Sequence, residues 1–154
     1  MFSLINFRVS KFQDFRANLK TDIMTTIRRF EDLEIWKNSR ELCKKIRGVC
    51  NTTSLNKDYT LKDQILSSSG SCMDNIAEGF ERDGNKEFIN FLYISKGSIG
   101  ETRSQVHRSF DSDHIDAKTY DDLLNDCLNL SAQISNFINY LHNSEIKGLK
   151  KRFQ

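Results

Sequence analysis

Apolar residues recur at every third or fourth position in four separate segments of the chain, which is the spacing of amphipathic helices. The pattern predicts a first helix over residues 32–50, a second from about Thr60, a third over 86–110 and a fourth over 117–142. No segment alternates as a strand does. The predicted fold is therefore all-α, an antiparallel up-down-up-down four-helix bundle.

Local signals refine the ends and faces of these helices. Thr60 and Asp63 have the spacing of a capping box at the start of the second helix, and Asp116 is the expected N-cap of the fourth. The serine-rich run at 67–71 forms helix poorly, but its small side chains allow a neighbouring helix to approach closely. The apolar arc of the third helix extends to Phe110, which is predicted to lie in the core.

The predicted third helix has a second apolar face, opposite the arc that would pack in the core. This face contains two glycines, each of which costs about 1 kcal/mol relative to alanine inside a helix. An apolar face with glycines needs another surface to cover it, and we expect a second copy of the chain to provide that surface. The residues of this candidate oligomer interface are Ile89, Tyr93, Ile94, Gly97, Gly100 and Ser104.

The limits of the helical pattern predict the domain organisation. Residues 1–27 are predicted to be a leader, poorly ordered or peripheral, with Met24 as an alternative translation start; residues 28–146 form the bundle, and 147–154 form a basic tail. A length of 154 residues suits one domain, and the absence of proline suits long helices. No window holds the roughly 18 apolar residues of a membrane span, so we expect a cytoplasmic protein without membrane contact.

The net charge of +2 is small, but the charges are unevenly distributed along the chain. Lys37, Arg40, Lys44 and Arg47 follow one another at spacings of three and four residues, which places them on one face of the first helix. We call these four residues the basic stripe. Basic side chains in a row can track the phosphates of a nucleic acid, so the basic stripe is a candidate binding site for RNA or DNA.

Two other interpretations of the basic stripe remain open at this point. Charged stripes of this kind are usually solvated helix surfaces, and the acidic fourth helix offers carboxylates that could pair with the stripe within or between subunits. No aromatic residue interleaves with the four cations, so base stacking on the stripe is not predicted. The carboxylates of the fourth helix are Asp121, Asp122 and Asp126.

Polar residues are concentrated in the sequence SCMDNIAEGFERDG, where the second helix would end. We interpret this stretch as a corner between helices, because Gly79 and Gly84 suit the left-handed conformation that closes a helix and Arg82 can reach Glu78. A catalytic interpretation would make Glu78 the reactive group, but it lacks a nearby His, Cys or second carboxylate suited to shared chemistry. No catalytic residue is predicted, and the corner residues are Asn75, Glu78, Gly79 and Arg82.

Several separated blocks of sequence resemble a known protein family. The runs FEDLEIWK at 30–37, NIAEG at 75–79 and GSIGE at 97–101 occur in the order typical of the four-helix-bundle family named for proteins encoded in 23S ribosomal RNA intervening sequences. The resemblance covers roughly residues 28–143. Four further residues contribute to it, namely Arg82, Glu87, Phe91 and Leu92.

The resemblance implies a bundle that assembles as a ring-like homopentamer. It also implies kinship with the accessory protein of diversity-generating retroelements, a basic pentamer that binds nucleic acid and a reverse transcriptase. The expected partners are therefore further copies of the chain, RNA or DNA, and a reverse transcriptase or another nucleic-acid enzyme. This sequence departs from that picture because its body is electrically neutral. The predicted function is a non-enzymatic nucleic-acid-associated scaffold, with a purely protein-binding scaffold as the alternative.

The cysteine and histidine residues supply no cofactor or metal site in this interpretation. Arg108 and His114 have the Arg-x5-His spacing of all-helical HEPN-type ribonucleases, which makes such a ribonuclease a remote alternative function, since this spacing arises easily by chance. The turn between the third and fourth helices is rich in aspartate, as helix capping alone requires. The four cysteines have neither C-x-x-C nor zinc-site spacing and are predicted to be buried, reduced thiols; they are Cys43, Cys50, Cys72 and Cys127.

Overall fold

The structure is a computed structural model that describes residues 27–82 and 84–144. These residues form four α-helices and no strand, as the sequence predicts. None of the helices in this described part is long and apolar enough to cross a membrane. The predicted basic tail, and all of the predicted leader except Ile27, lie outside the described residues. The helices are α1 (Glu34–Thr52), α2 (Tyr59–Glu81), α3 (Asn85–Asp111) and α4 (Ala117–His142).

Each helix places one apolar face in a shared core. The predicted apolar arcs are confirmed over most of their length, because their central residues are almost fully buried. Examples with at most 2% exposure, from α1 to α4, are Ile46, Ile65, Ile76, Leu92, Val106, Leu123 and Ile134.

The end of α3 differs from the prediction. Phe110 is 37% exposed instead of buried, because it lies in the last turn of the helix, where its ring stacks on Tyr120 with the centroids 4.4 Å apart. The start of α4 agrees with the prediction, since Asp116 is the N-cap and its side chain accepts a hydrogen bond of 2.7 Å from the backbone N–H of Thr119.

The start of α2 is capped by a different residue from the one predicted. Asp58 is the N-cap, and its carboxylate accepts a hydrogen bond of 3.0 Å from the backbone N–H of Leu61. The capping box predicted at Thr60 and Asp63 is therefore wrong. A short 3₁₀ helix, Ser54–Lys57, occupies the predicted loop. The residue that follows it, Asp58, is the N-cap of α2 and lies two residues before the predicted cap.

Small hydroxyl residues line the contact between α2 and α3. Ser68 lies 2.8 Å from Thr102, and Ser71 lies 3.0 Å from Ser98, between hydroxyl oxygens in both cases. Ser95 is fully buried, and its hydroxyl donates to a carbonyl oxygen of α2 at 3.1 Å. We call these five residues the hydroxyl seam. The close approach that the serine-rich run predicts is confirmed, and no buried side-chain polar atom of the described residues lacks a hydrogen-bond partner.

Candidate nucleic-acid interface

The basic stripe lies on the solvent-facing side of α1. The opposite side of this helix packs in the core through residues such as Leu42 and Ile46. All four stripe residues are exposed. Because α1 rises 1.5 Å per residue, the stripe extends over about 15 Å of helix surface.

Two members of the stripe form ion pairs within α1. Lys37 Nζ donates to Glu34 at 2.7 Å, and Lys44 Nζ donates to Glu41 at the same distance. The hydrogen bond from Lys44 lowers the pKa of Glu41 below its ordinary value. The lysine side chains remain 48% and 57% exposed, respectively. Exposed pairs of this kind contribute about 0–1 kcal/mol, so a phosphate can replace either carboxylate at little cost.

The acidic residues of α4 do not neutralise the stripe within one chain. Asp126 pairs with Lys45, a lysine of α1 that is not part of the stripe, and Asp122 pairs with Lys118 on its own helix at 2.8 Å. In the described part of the chain, no carboxylate of α4 forms an ion pair with a stripe residue. Within the described residues, the acidic fourth helix therefore does not pair with the basic stripe of the same chain.

Two open depressions border the stripe. One is a groove of about 590 Å³ between α1 and α4, crossed by a hydrogen bond of 2.7 Å from Asn38 to Gln133. The other, also about 590 Å³, lies around Trp36 at the start of α1. The residues that line this second depression, which we call the Trp36 hollow, are Glu31, Trp36, Lys37, Arg40 and Glu41.

The predicted polar corner is present between α2 and α3. Arg82 donates to Glu78 at 2.7 Å and to Glu87 at 3.1 Å, so its guanidinium bridges the last turn of α2 and the first turn of α3. The hydrogen bonds to these two carboxylates raise the pKa of Arg82 above its ordinary value, and the bond to Glu78 has the larger effect. The guanidinium also lies 5.0 Å from the ring centroid of Phe91. Asn75 takes no part in this bridge, because its amide donates back to Ser71 at 2.7 Å.

The two glycines of the corner have different roles. Gly84 has a φ of +101° and is the N-cap of α3, as expected for a conformation that favours glycine. Gly79 is helical and buried, so its predicted left-handed conformation is wrong. It is needed for space, because a Cβ at this position would lie 2.5 Å from the Cβ of Phe91 and 2.9 Å from a ring carbon of Phe88.

The second face of α3 is largely exposed in the single chain. Tyr93 is 52% exposed and Ile94 is 51% exposed. Ile89 differs from the rest of the predicted set, because it is 7% exposed and belongs to the core of the same chain. The other predicted interface residues are also exposed, namely Gly97, Gly100 and Ser104.

Arg108 and His114, the residues with the spacing of a ribonuclease motif, form hydrogen bonds with other residues and not with each other. Arg108 donates to Gln64 at 2.7 Å. The two ring nitrogens of His114 lie 2.9 Å from the hydroxyl of Ser54 and 3.3 Å from the carboxylate of Asp58, which is already the cap of α2. The histidine therefore ties the α3–α4 turn to the start of α2. No group of three or more His, Cys, Asp or Glu in the described residues has the arrangement of a metal site.

The cysteines lie inside the fold as free thiols. Cys50, Cys72 and Cys127 are buried, and Cys43 is half-buried, with its sulfur 3.2 Å from the carbonyl oxygen of Ser69. Burial raises the pKa of Cys127 to about 12. Burial also raises the pKa values of the other three. At neutral pH these thiols are therefore in the uncharged form.

Comparison with known proteins identifies the family. The family described as 23S rRNA-intervening sequence protein matches residues 31–136, which is more than half of the chain. The chain belongs to this family. Among solved structures, a crystal structure of a protein with unknown function from the S23 ribosomal protein family of Bacteroides thetaiotaomicron has a TM-score of 0.62 and 23% sequence identity. The alignment covers 68% of this chain and 97% of that one. A search of the curated proteins found no match.

The family and its solved relative support the all-α fold with four helices. At 23% identity the relative shows the fold alone, and its own function is unknown. The family match also agrees with the blocks of sequence that carry the resemblance, because it begins inside the FEDLEIWK run and extends beyond GSIGE.

Proposed function

We propose that this protein is a non-enzymatic, oligomeric scaffold that associates with RNA through the basic stripe. The observation that carries the proposal is the exposure of four basic side chains in a row on α1, with no carboxylate of α4 paired to them in the described residues. The membership in the 23S rRNA-intervening sequence protein family is consistent with a role near RNA.

Binding is by charge neutralisation, without reading of base sequence by the stripe. Lysine and arginine side chains displace the counterions of the phosphates, so affinity falls as salt rises. A stripe about 15 Å long spans a few phosphates of a single strand. One stripe is therefore a weak site, and several copies side by side are needed for firm binding.

The proposal includes an up-down-up-down arrangement of the helices and assembly into a ring-like homopentamer. The hydroxyl seam supports the helix arrangement, because later residues of α2 contact earlier residues of α3: Ser68 meets Thr102, whereas Ser71 meets Ser98. The exposed Tyr93 on α3 supports assembly, since large exposed apolar side chains on one face are typical of an interface.

The proposed location is the cytoplasm, without membrane contact. A reverse transcriptase or another nucleic-acid enzyme is the proposed protein partner.

The experiment is a filter-retention measurement with a structured RNA in a series of salt concentrations. We expect binding near 50 mM salt and a steep loss of affinity with increasing salt, because each neutralised phosphate contributes about one unit to the slope. In the variant Lys37→Glu/Lys44→Glu, every chain of the oligomer loses two cations of the basic stripe. The affinity for RNA should therefore fall at least tenfold, and the salt slope should become shallower.

The control variant is Lys86→Glu/Lys118→Glu, which makes the same change of charge on exposed positions of α3 and α4. It should bind RNA nearly as well as the unaltered protein. If both variants lose affinity equally, the RNA responds only to total charge, and the basic stripe is not the site. Binding that is absent at 50 mM salt rejects the RNA association itself.

A second candidate function is a scaffold that binds only proteins, and the exposed face of α3 favours it. On this alternative, the variant Lys37→Glu/Lys44→Glu captures its protein partner as well as the unaltered protein does. Changes at Tyr93 and Gly97 instead abolish capture. Comparing the variant Lys37→Glu/Lys44→Glu with variants at Tyr93 and Gly97 therefore separates the two functions.

A further inference from the structure

The Trp36 hollow brings together an aromatic ring, an arginine and carboxylates next to the basic stripe. Trp36 is half-buried, and its ring packs edge-on against Phe30 with the centroids 5.0 Å apart. The guanidinium of Arg40 lies over the indole ring at 5.8 Å from its centroid. Glu31 forms one wall of the hollow. A planar group that enters the hollow can therefore stack on this guanidinium plane beside the aromatic ring.

We propose that the Trp36 hollow binds one unpaired base of the RNA, with guanine preferred. This inference rests on the proposed function, because the basic stripe supplies the phosphate contacts that deliver a base to the hollow. Unpaired bases in RNA are commonly held by stacking on aromatic side chains and on arginine planes. Two residues of the hollow, Lys37 and Arg40, also belong to the stripe, so the phosphate track and the hollow are continuous.

The preference for guanine follows from the carboxylate of Glu31. This side chain has no ion-pair or hydrogen-bond partner among the described residues, so both of its oxygens are available as acceptors. Guanine presents two adjacent donors, N1–H and the N2 amino group, which match the two oxygens of one carboxylate. Adenine and cytosine present an amino group beside an acceptor nitrogen, and uracil presents one N–H between two carbonyl oxygens. Their edges repel a carboxylate in part, so guanine fits best.

The other carboxylate of the hollow is less suited to this role. Glu41 accepts the hydrogen bond of Lys44 at 2.7 Å, and this contact holds it in its charged form. Lys37 is similarly engaged with Glu34. Glu31 is therefore the acceptor that we assign to the base, and Trp36 and Arg40 are the stacking residues.

The sequence makes a direct test possible, because Trp36 is the only tryptophan in the chain. Its fluorescence reports on the hollow without a label. We would titrate the full-length protein at low salt with the RNA nonamer of uridines, with the same nonamer carrying one central guanosine, and with inorganic polyphosphate as an anion without bases. Stacking should quench the fluorescence with both RNAs, at a concentration several-fold lower for the guanosine nonamer, whereas polyphosphate should bind without quenching.

Three variants identify the residues. Glu31→Gln should remove the preference for the guanosine nonamer and leave the salt slope of RNA retention unchanged. Arg40→Lys keeps the charge but loses the guanidinium plane, so it should weaken quenching more than retention. Trp36→Phe keeps an aromatic ring against Phe30 and should retain RNA with an affinity within about tenfold of the original. Glu31 lies in a short 3₁₀ helix at the surface, so its variant tests the inference even if Trp36→Phe folds poorly.

The possible outcomes separate this inference from the proposed function. Salt-dependent retention of RNA without any quenching overturns the base-binding inference and leaves the proposed function standing. Equal quenching by polyphosphate, or an unchanged guanosine preference in Glu31→Gln, also overturns the inference. Free GMP that quenches the fluorescence at as low a concentration as the guanosine nonamer would indicate a site for mononucleotides instead of RNA. That result would contradict the inference. Failure of every RNA to bind rejects the proposed function and the inference with it.

Discussion

Gly79 determines how closely α2 and α3 can approach each other at the corner between them. A side chain at this position would overlap the Cβ of Phe91 and the ring of Phe88, both of which are anchored on α3. The sequence shows that a glycine stands near a helix end, and the usual reason for such a glycine is a left-handed backbone. That explanation holds for Gly84 and fails for Gly79, because a requirement for space depends on the neighbouring helix.

We predict that Gly79→Ala lowers the free energy of unfolding by about 1–3 kcal/mol, the usual cost of forcing extra atoms into a packed site. Urea denaturation followed by circular dichroism measures the change. The matched control is Gly48→Ala, since Gly48 is an exposed glycine in α1 and a methyl group added there would meet no neighbouring atom within 4 Å. There the same substitution should stabilise by about 0.5–1 kcal/mol. A Gly79→Ala protein as stable as the original would contradict this account of the corner.

Single residues also limit what sequence could predict about the candidate site. The four cations of the basic stripe are identified by helical spacing alone, because exposure on α1 follows from the period of its apolar face. The Trp36 hollow is not. Trp36 is one of the apolar residues near the start of the first helix in the sequence, and its contact with Arg40 depends on side-chain positions that spacing does not specify. The ion pair of Lys45 escapes prediction for the same reason, since its partner Asp126 is on another helix.

At the scale of whole helices, the type of each element is predictable and its ends are less so. The predicted third and fourth helices differ from α3 and α4 by at most one residue at either end. The first helix is observed two residues later than predicted at both ends. The favourable spacing of Thr60 and Asp63 predicts a cap at Thr60, but the 3₁₀ helix before Asp58 decides which side chain reaches Leu61.

We predict that Asp58→Ala lowers the urea midpoint of unfolding at pH 7, because α2 loses its cap and His114 loses a partner. Asp63→Ala is the control and should change the midpoint little. The backbone N–H of Leu61, and after it His114, hold the pKa of Asp58 below its ordinary value. The charged carboxylate therefore contributes stability above about pH 4, the ordinary value for aspartate.

This contribution should be lost as the pH falls through the lowered pKa of Asp58. The difference in urea midpoint between the original protein and Asp58→Ala is therefore expected to be largest near neutral pH and to shrink on acidification from about pH 5 towards about pH 2. Unfolding curves collected at closely spaced pH values measure it. A difference that stays constant over this range shows that the charge of Asp58 is irrelevant to the cap.

For the whole molecule, the described residues account for the core but leave one face of α3 uncovered. Tyr93 and Ile94 are about half exposed, and the adjoining glycines leave room for a closely packed partner. The pattern of apolar positions predicts that such a face exists. The apolar pattern overestimates the extent of this face, because it includes Ile89, which is buried in the same chain. Spacing around one helix does not show where the neighbouring helices end.

We predict that the protein migrates in size-exclusion chromatography with a mass, measured by light scattering, of five chains. The variant Tyr93→Glu/Ile94→Glu should migrate as a single chain and keep its helical circular dichroism, because neither side chain is buried in the single chain. The control is Tyr59→Glu, which alters another exposed aromatic residue, 71% exposed, at the start of α2. An unaltered protein with the mass of one chain would contradict the assembly.

The hydroxyl seam has a consequence for how α2 and α3 select their alignment. A purely aliphatic contact tolerates sliding by a turn, since one leucine replaces another at little cost. In α2 and α3, the observed alignment pairs Ser68 with Thr102 and Ser71 with Ser98, and a shift of one turn would break both contacts. The seam thus favours this alignment of the two helices. The outward stripe on α1 and the bare face of α3 owe their fixed spacing on the molecule in part to these few polar atoms in its interior.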